Sequence, residues 1–147
     1  MQQSLVQQDG LDYLRHQVGR FGAIFCTDVL EHVESEDELL DFLEAARIAL
    51  SDGGLFVCRV PNMGNLTGAH LRYIDMTHAR AFTSDSLLQL LDCAGFSRAS
   101  IVPRRATTAG QWLRMRIEHA VHVAIFRICG VGNERHFGRT IIGVAER

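Results

Sequence analysis

The chain has 147 residues, a length that suits a single domain. Hydrophobic residues make up 47% of it and charged residues 22%, a balance that excludes a disordered chain and indicates a globular protein with a packed core. The formal net charge of -2 gives no electrostatic reason to expect nucleic acid as a partner.

The four cysteines, Cys26, Cys58, Cys93 and Cys129, stand more than thirty residues apart and form no C-x-x-C pair. This spacing predicts no metal site, and we expect most of these cysteines to be small buried hydrophobic residues. The first residues lack the basic and apolar regions of a signal peptide, and no apolar run approaches the ~20 residues of a membrane span. We therefore expect a cytoplasmic protein with reduced thiols.

The first part of the chain predicts the end of a strand, a helix and a buried strand. Residues 4–6 form a short, mostly apolar segment that leads into a turn at 7–10. After this turn the apolar positions of residues 11–18 have helical spacing. Residues 21–26 form an apolar run that does not alternate, which is typical of a parallel strand covered on both faces.

A helix and a second strand complete a crossover unit. Ser35 and Glu38 form a capping-box pattern before a helix at 36–50, and the sequence Asp-Gly-Gly at 52–54 stops that helix. Residues 55–60 form the next apolar strand. A strand, a helix and a strand within about forty residues predict a right-handed parallel unit.

The rest of the chain predicts a long loop, two helices and two strands. Residues 62–82 show little periodicity, and a loop of this length is usually functional when it is ordered. The elements that follow are predicted at 84–94, 99–103, 110–129 and 140–145.

Ligands of open parallel sheets bind beyond the carboxyl ends of the strands. Polar residues gather at three such ends, namely Asp9-Gly10, Thr27-Asp28 with the nearby Glu31-His32, and Asn62 after Pro61. We therefore expect the functional site at this edge of the sheet.

Five short motifs follow one another along the chain: DVLEHV at 28–33, GG at 53–54, VPN at 60–62, RYIDMTH at 72–78 and AGF at 94–96. In this order they resemble the second half of a class I S-adenosylmethionine-dependent methyltransferase, of the kind common in glycan, lipid and quinone biosynthesis. Each motif is weak alone, and the resemblance depends on their ordered occurrence.

The resemblance implies an α/β protein with a truncated Rossmann-like methyltransferase fold. It implies a mainly parallel sheet with an antiparallel final strand and helices on both faces. We expect one partial domain over residues 1–147, with a Rossmann-like portion at 1–109 and a C-terminal helix and closing strand at 110–147.

The resemblance also implies which residues contact S-adenosylmethionine. In similar enzymes an acidic residue after the third strand binds the adenine amino group, and the next backbone N–H serves a ring nitrogen. Asp9 and Gly10 match these positions. Thr27 and Asp28 match positions that line the methionine end of the cofactor.

The same comparison places four residues near the methyl acceptor: Glu31, Asn62, Arg72 and Tyr73. It implies a small-molecule acceptor, such as a sugar, a lipid-linked intermediate or a quinone-type compound.

Methyl transfer to an oxygen acceptor requires removal of a proton, and a histidine with a pKa near 6.5 suits that task. His78 and His32 are the candidates for the base, and Asp75, three residues before His78, is the candidate for orienting it.

Structural roles remain open for most of these residues. Asp9 is also placed to cap the helix that follows, and His32 to form hydrogen bonds near a helix start. Asp75 and His78 could equally hold the long loop together, and Glu31 could accept hydrogen bonds from loop N–H groups. Two further histidines, His119 and His122, are predicted to lie on the surface of the last helix.

No G-x-G-x-G sequence occurs in the chain, although class I methyltransferases bind the cofactor with such a turn. We therefore expect weak or no binding of S-adenosylmethionine by this chain alone. The expected explanation is an N-terminally shortened form of the enzyme. The alternative is a non-catalytic pseudoenzyme or a subunit that another chain completes.

Without the family's first strand, one edge of the strand at 21–26 is expected to be exposed. Residues 5–6 folded back, a second copy of the chain or a separate partner chain could cover it. The helix around Trp112, which carries several arginines, could lie on a membrane surface, but packing on the domain is favoured.

Overall fold

The computed structural model describes residues 5–132 and 134–147. The chain folds into four strands and five α-helices over these residues, with a short 3₁₀ turn at Leu30–His32. In chain order the elements are α1 (Gly10–Arg15), β1 (Phe21–Thr27), α2 (Glu36–Ala49), β2 (Leu50–Pro61), α3 (Gly68–Tyr73), α4 (Ser84–Cys93), β3 (Arg98–Ile101), α5 (Ala109–Ile128) and β4 (Thr140–Glu146).

The sheet has the strand order β1-β2-β4-β3. β1 and β2 are parallel, and β4 is antiparallel to both of its neighbours, so β1, β2 and β3 run in one direction. The predicted arrangement, a mainly parallel sheet with an antiparallel final strand, is confirmed.

Helix α2 begins where the sequence pattern predicts. The Ser35 side chain accepts a hydrogen bond from the backbone N–H of Glu38, and the helix buries Leu39, Leu43 and Ala46. Because these positions recur at three- and four-residue intervals, one face of α2 lies in the core.

Helix α4 packs on the same face of the sheet, directly over β4. A Cβ atom added at Gly143 would lie 3.1 Å from Leu87 and 3.3 Å from Leu91, so glycine permits the close approach of α4. The fully buried Phe56, between strands β1 and β4, belongs to this core.

The other face of the sheet is open over the described residues, which corrects the expectation of helices on both faces. Phe25 on β1 is 75% exposed and Leu55 on β2 is 41% exposed. An entirely apolar strand cannot reveal by its sequence whether both of its faces are covered, and here only the face toward α2 and α4 is.

The outer edge of β1 pairs with no strand among the described residues. Leu5 and Val6 do not cover it, because both are exposed and lie outside the sheet. The predicted strand end at 4–6 is therefore absent over residues 5 and 6, and Ser4 lies outside the described residues.

Strand β2 begins earlier than the sequence predicts. Gly53 and Gly54 do not end α2 but lie within the strand, where Gly53 has φ +72° and the pairing of β1 with β2 shifts register. A Cβ atom at Gly54 would lie 2.8 Å from the Ser51 carbonyl oxygen, so this irregular part of the strand requires glycine.

Helix α5 buries little of its apolar surface. Leu113, Ile117 and Val121 are about half exposed, whereas His122 is buried, which corrects its predicted surface position. No helix in the described ranges is long and apolar enough to cross a membrane.

The cysteines divide into two classes. Cys26 and Cys58 are buried side by side on β1 and β2, whereas Cys93 and Cys129 are exposed. Fewer of the cysteines are therefore buried than the sequence predicted. Burial raises the pKa of Cys26 to about 12 and that of Cys58 to about 11.

The thiols should therefore react with a disulfide reagent in two phases at pH 8. We expect Cys93 and Cys129 to react quickly, and Cys26 and Cys58 to react only on unfolding. The two buried thiols form little thiolate because the pH is far below their pKa. Cys93→Ser should remove one fast equivalent. Four fast equivalents in the folded protein would contradict the buried positions.

Candidate functional site

The carboxyl ends of β1 and β2 carry the residues predicted for the site. Asp28, directly after β1, has φ +53°, an uncommon conformation for a residue other than glycine. Its backbone N–H donates to the Arg59 carbonyl (3.0 Å), and its carboxylate is paired with the Arg59 guanidinium. Asp28 thus bridges the two strand ends.

The 3₁₀ turn after Asp28 is fixed to the long loop by the carbonyl oxygen of Glu31. This oxygen accepts hydrogen bonds from the backbone N–H groups of Ala79 (2.7 Å) and Arg80 (2.9 Å). The Arg80 guanidinium also donates to the carbonyl oxygens of Val33 (2.8 Å) and Glu34 (2.9 Å). We call these four hydrogen bonds the Glu31–Arg80 clamp.

The clamp brings His32 and His78 together, with their ring centroids 4.8 Å apart in an edge-to-face arrangement. His32 Nδ1 lies 2.9 Å from the Thr77 hydroxyl and 3.3 Å from the Thr77 carbonyl oxygen. His78 Nδ1 lies 3.0 Å from the Leu71 carbonyl oxygen. Carbonyl oxygens only accept hydrogen bonds, so each Nδ1 is assigned a ring proton, and in the neutral ring Nε2 is then the nitrogen with a lone pair.

Asp75 contacts Thr77 and not His78, which the sequence predicted it to orient. Its carboxylate accepts hydrogen bonds from the Thr77 hydroxyl (2.7 Å) and the Thr77 backbone N–H (2.9 Å), and not from His78. These bonds lower the pKa of Asp75. Asp75 therefore acts through Thr77 on His32, while the Leu71 carbonyl holds His78.

The carboxyl group of Glu31 is buried beside the two histidines. The residue is 1% exposed, and Oε2 accepts no hydrogen bond from any residue that the structure describes. Burial raises the pKa of Glu31, and the nearby Asp28 carboxylate acts in the same direction. A hydrogen bond from the residue's own backbone N–H opposes that shift, and so do the two histidines.

Asn62 is fully buried and its side chain is engaged by the backbone. Its amide group donates to the carbonyl oxygens of His136 and Gly138 (2.9 Å to Gly138), and its carbonyl oxygen accepts from the N–H of Gly64 (2.8 Å). Asn62 therefore positions the loop before β4 rather than presenting an amide to an acceptor.

Asn65, which the sequence analysis missed, and His122, which it placed on the surface, extend this buried polar network. Asn65 accepts from Thr67 and donates to the Phe137 carbonyl oxygen, and the Leu66 N–H donates to His122 Nε2 (3.0 Å). Thr77 was missed at the histidine pair. Only its place between Asp75 and His78, in a polar loop, hinted at a role.

The predicted residues Arg72 and Tyr73 lie on α3, at the outer side of the same loop. The Arg72 guanidinium donates to the Ala79 carbonyl oxygen (3.1 Å) and stacks over the Tyr73 ring at 5.4 Å. Tyr73 is 79% exposed, so its ring is accessible to a ligand from solvent.

The predicted adenine-binding residues begin α1. Asp9 caps this helix, because its Oδ1 accepts a hydrogen bond from the Asp12 N–H (3.0 Å). This is the structural role that the sequence left open for Asp9. Gly10 is the first residue of α1, and Thr27 is the last residue of β1. No hydrogen bond between described residues joins Asp9 to the histidine pair.

The strand order, the antiparallel β4 and the polar strand ends are those of a Rossmann-like α/β fold. A family model described as a methyltransferase domain matches residues 2–100, and the chain belongs to that family. With the structural similarities below, this identifies a class I S-adenosylmethionine-dependent methyltransferase fold.

Several solved structures share the fold. A SAM-dependent methyltransferase from Archaeoglobus fulgidus aligns with 16% identity and a TM-score of 0.67, over 97% of this chain and 66% of that one. Phosphoethanolamine N-methyltransferase 2 from Haemonchus contortus, in complex with S-adenosyl-L-methionine, aligns with 14% identity and a TM-score of 0.57, over 95% and 36%.

A third similar chain comes from the complex between the Haloferax volcanii Trm112 methyltransferase activator and a methyltransferase, with 14% identity, a TM-score of 0.59 and coverages of 94% and 59%. The chain thus spans about one third to two thirds of the length of these three relatives. No curated protein matches it by sequence.

Replacing Thr77 by valine should disturb His32 specifically. The hydroxyl links Asp75 to His32, and the loss of one such hydrogen bond costs about 1 kcal/mol of unfolding free energy. We expect a loss of this size in chemical denaturation, together with a changed His32 ring signal in NMR spectra.

Thr107→Val is the matched control, because the Thr107 hydroxyl donates to Gln111 (2.7 Å) far along the chain from the histidines. It should leave the His32 signal unchanged. An unchanged His32 signal in Thr77→Val would contradict the link.

Proposed function

We propose that this protein takes part in S-adenosylmethionine-dependent methyl transfer to a small-molecule acceptor, and that this chain supplies the acceptor side of the site. The observation that carries the proposal is the His32–His78 pair at the carboxyl ends of parallel strands, where one ring nitrogen of each histidine and a carboxylate oxygen of buried Glu31 lie within 4.8 Å of one another. A sugar, a lipid-linked intermediate or a quinone-type compound is the acceptor class that the sequence resemblance favours.

The cofactor, when bound, supplies an electrophilic methyl group. On this chain, Asp9 and Gly10 would hold its adenine, and Thr27 and Asp28 would line its methionine end. The fit is partial. Asp9 already caps α1 through one carboxylate oxygen, and Asp28 is paired with Arg59, so the chain offers few free donors and acceptors to the cofactor.

The histidine pair would orient the acceptor and take its proton. His78 is the proposed base, because the Leu71 carbonyl fixes its ring and leaves Nε2 free. His32, held through Thr77 by Asp75, would position the acceptor or share the proton. Arg72 and Tyr73 would line the outer wall through which the acceptor enters.

A second candidate is a non-catalytic module or a subunit completed by another chain. The edge of β1, with which no strand among the described residues pairs, and the exposed Phe25 on the open sheet face favour it, because an apolar edge of this kind invites pairing. A segment that covered this edge and carried a glycine-rich turn would complete the cofactor site.

Calorimetry with S-adenosylhomocysteine separates a partial from a complete cofactor site. We expect the isolated chain to bind with a Kd weaker than about 1 mM, equivalent to about -4 kcal/mol. Micromolar affinity in a monomer would contradict the partial-site proposal.

The role of His78 is tested in the active form of the protein, together with any segment that completes the sheet. His78→Ala should lower the turnover number by about 10²–10⁴, the usual contribution of a general base, and leave cofactor affinity unchanged. His70→Ala, on the exposed side of α3, is the control and should retain turnover. Full turnover in His78→Ala would remove it from this role.

A further inference from the structure

A cluster of three metal-ligating side chains lies at the end of β1. Glu31, His32 and His78 each offer one ligand-type atom, and these three atoms lie within 4.8 Å of one another. We propose that these residues bind a divalent transition-metal ion through two imidazole nitrogens and one carboxylate.

The hydrogen bonds of the histidines are those that metal-binding histidines make. A ligating histidine almost always donates its other ring N–H to a carbonyl, a carboxylate or water, which fixes the tautomer and the ring orientation. Here the Nδ1 atoms are held by Thr77 and by the Leu71 carbonyl, and Asp75 in turn holds Thr77. Both Nε2 atoms are thereby left as ligands.

Glu31 gives the second, independent observation. A buried carboxylate oxygen normally has a hydrogen-bond partner, because an unpaired buried charge is costly. Glu31 is 1% exposed, yet Oε2 accepts no hydrogen bond from any described residue. A bound cation would offset this cost.

The spacing fits a site that closes on the ion. Two ligands of a tetrahedral zinc ion, each about 2.1 Å from it, lie roughly 3.4 Å apart. The ligand atoms of the cluster lie within 4.8 Å of one another, and a bound ion would draw them in to this spacing. The Glu31–Arg80 clamp already fixes their backbones.

Two imidazoles and one carboxylate favour Zn²⁺, Fe²⁺ or Co²⁺ over Mg²⁺, which prefers oxygen ligands. Three protein ligands leave coordination positions open. An oxygen atom of the acceptor could occupy one of them, a consequence that rests on the proposed function, whereas metal binding itself does not. An ion would use the same Nε2 atom of His78 that otherwise accepts a proton, so the two roles exclude each other in one molecule.

Cobalt is the probe that reports both affinity and ligands. The chain carrying Cys93→Ser and Cys129→Ser, so that no exposed thiol competes, is treated with a chelator and titrated with Co²⁺. We expect one equivalent to bind with micromolar or tighter Kd and to give visible absorption bands of a site with nitrogen and oxygen ligands. Zn²⁺ should displace it.

Glu31→Gln, His32→Gln and His78→Gln should each weaken Co²⁺ binding by at least 100-fold. Glu34→Gln and His70→Ala, at exposed positions near the site, are the matched controls and should bind as the parent does. Circular dichroism checks that each variant is folded, and because His32 is only partly buried, His32→Gln remains informative if the Glu31 variant unfolds.

Binding weaker than about 1 mM in the parent, or affinity unchanged in folded His32→Gln and His78→Gln, would overturn the proposal. The titration involves no methyl transfer, so a metal-binding protein without methyltransferase activity would contradict the proposed function alone. An active protein without a metal would contradict only this inference.

Discussion

The backbone carbonyl of Glu31 is the acceptor on which the site depends. It accepts hydrogen bonds from the backbone N–H groups of Ala79 and Arg80. These bonds join the turn after β1 to a loop more than forty residues further along the chain. These two hydrogen bonds to one oxygen fix the position and the direction of that loop relative to the turn. Without them His32 and His78 would belong to separate segments, because no strand or helix contains both.

A second polar network holds the end of β2. Buried Asn62 and Asn65 bind the backbone before β4, and His122 reaches from α5 to the Leu66 N–H. Helix α5 leaves most of its apolar surface exposed, so this histidine gives it one of its firm attachments. The asparagine network holds the start of the loop after β2, and the Glu31–Arg80 clamp holds its end. Together they explain how a segment with little regular structure is ordered.

The sequence predicted the elements that local patterns determine. The Ser35 cap and the apolar spacing of α2 predicted that helix to within a residue, and the ordered motifs predicted the sheet topology. The sequence did not predict contacts between residues that are far apart in the chain. His122 looked like a surface residue because its partner is the backbone of Leu66, 56 residues away. Asp75 was assigned to His78 by proximity in sequence, whereas a turn directs its carboxylate to Thr77.

The hydrogen bonds of the site assign the Nδ1 proton of His32 to Thr77 and that of His78 to the Leu71 carbonyl, beside buried Glu31. Nitrogen-correlated NMR of the histidine rings at pH 8, with His32 and His78 assigned by their alanine variants, tests this assignment directly. We expect the Nδ1–H tautomer for both residues, because Thr77 and the Leu71 carbonyl hold those protons. A Nε2–H tautomer at either histidine, or rapid exchange between the two tautomers, would contradict it.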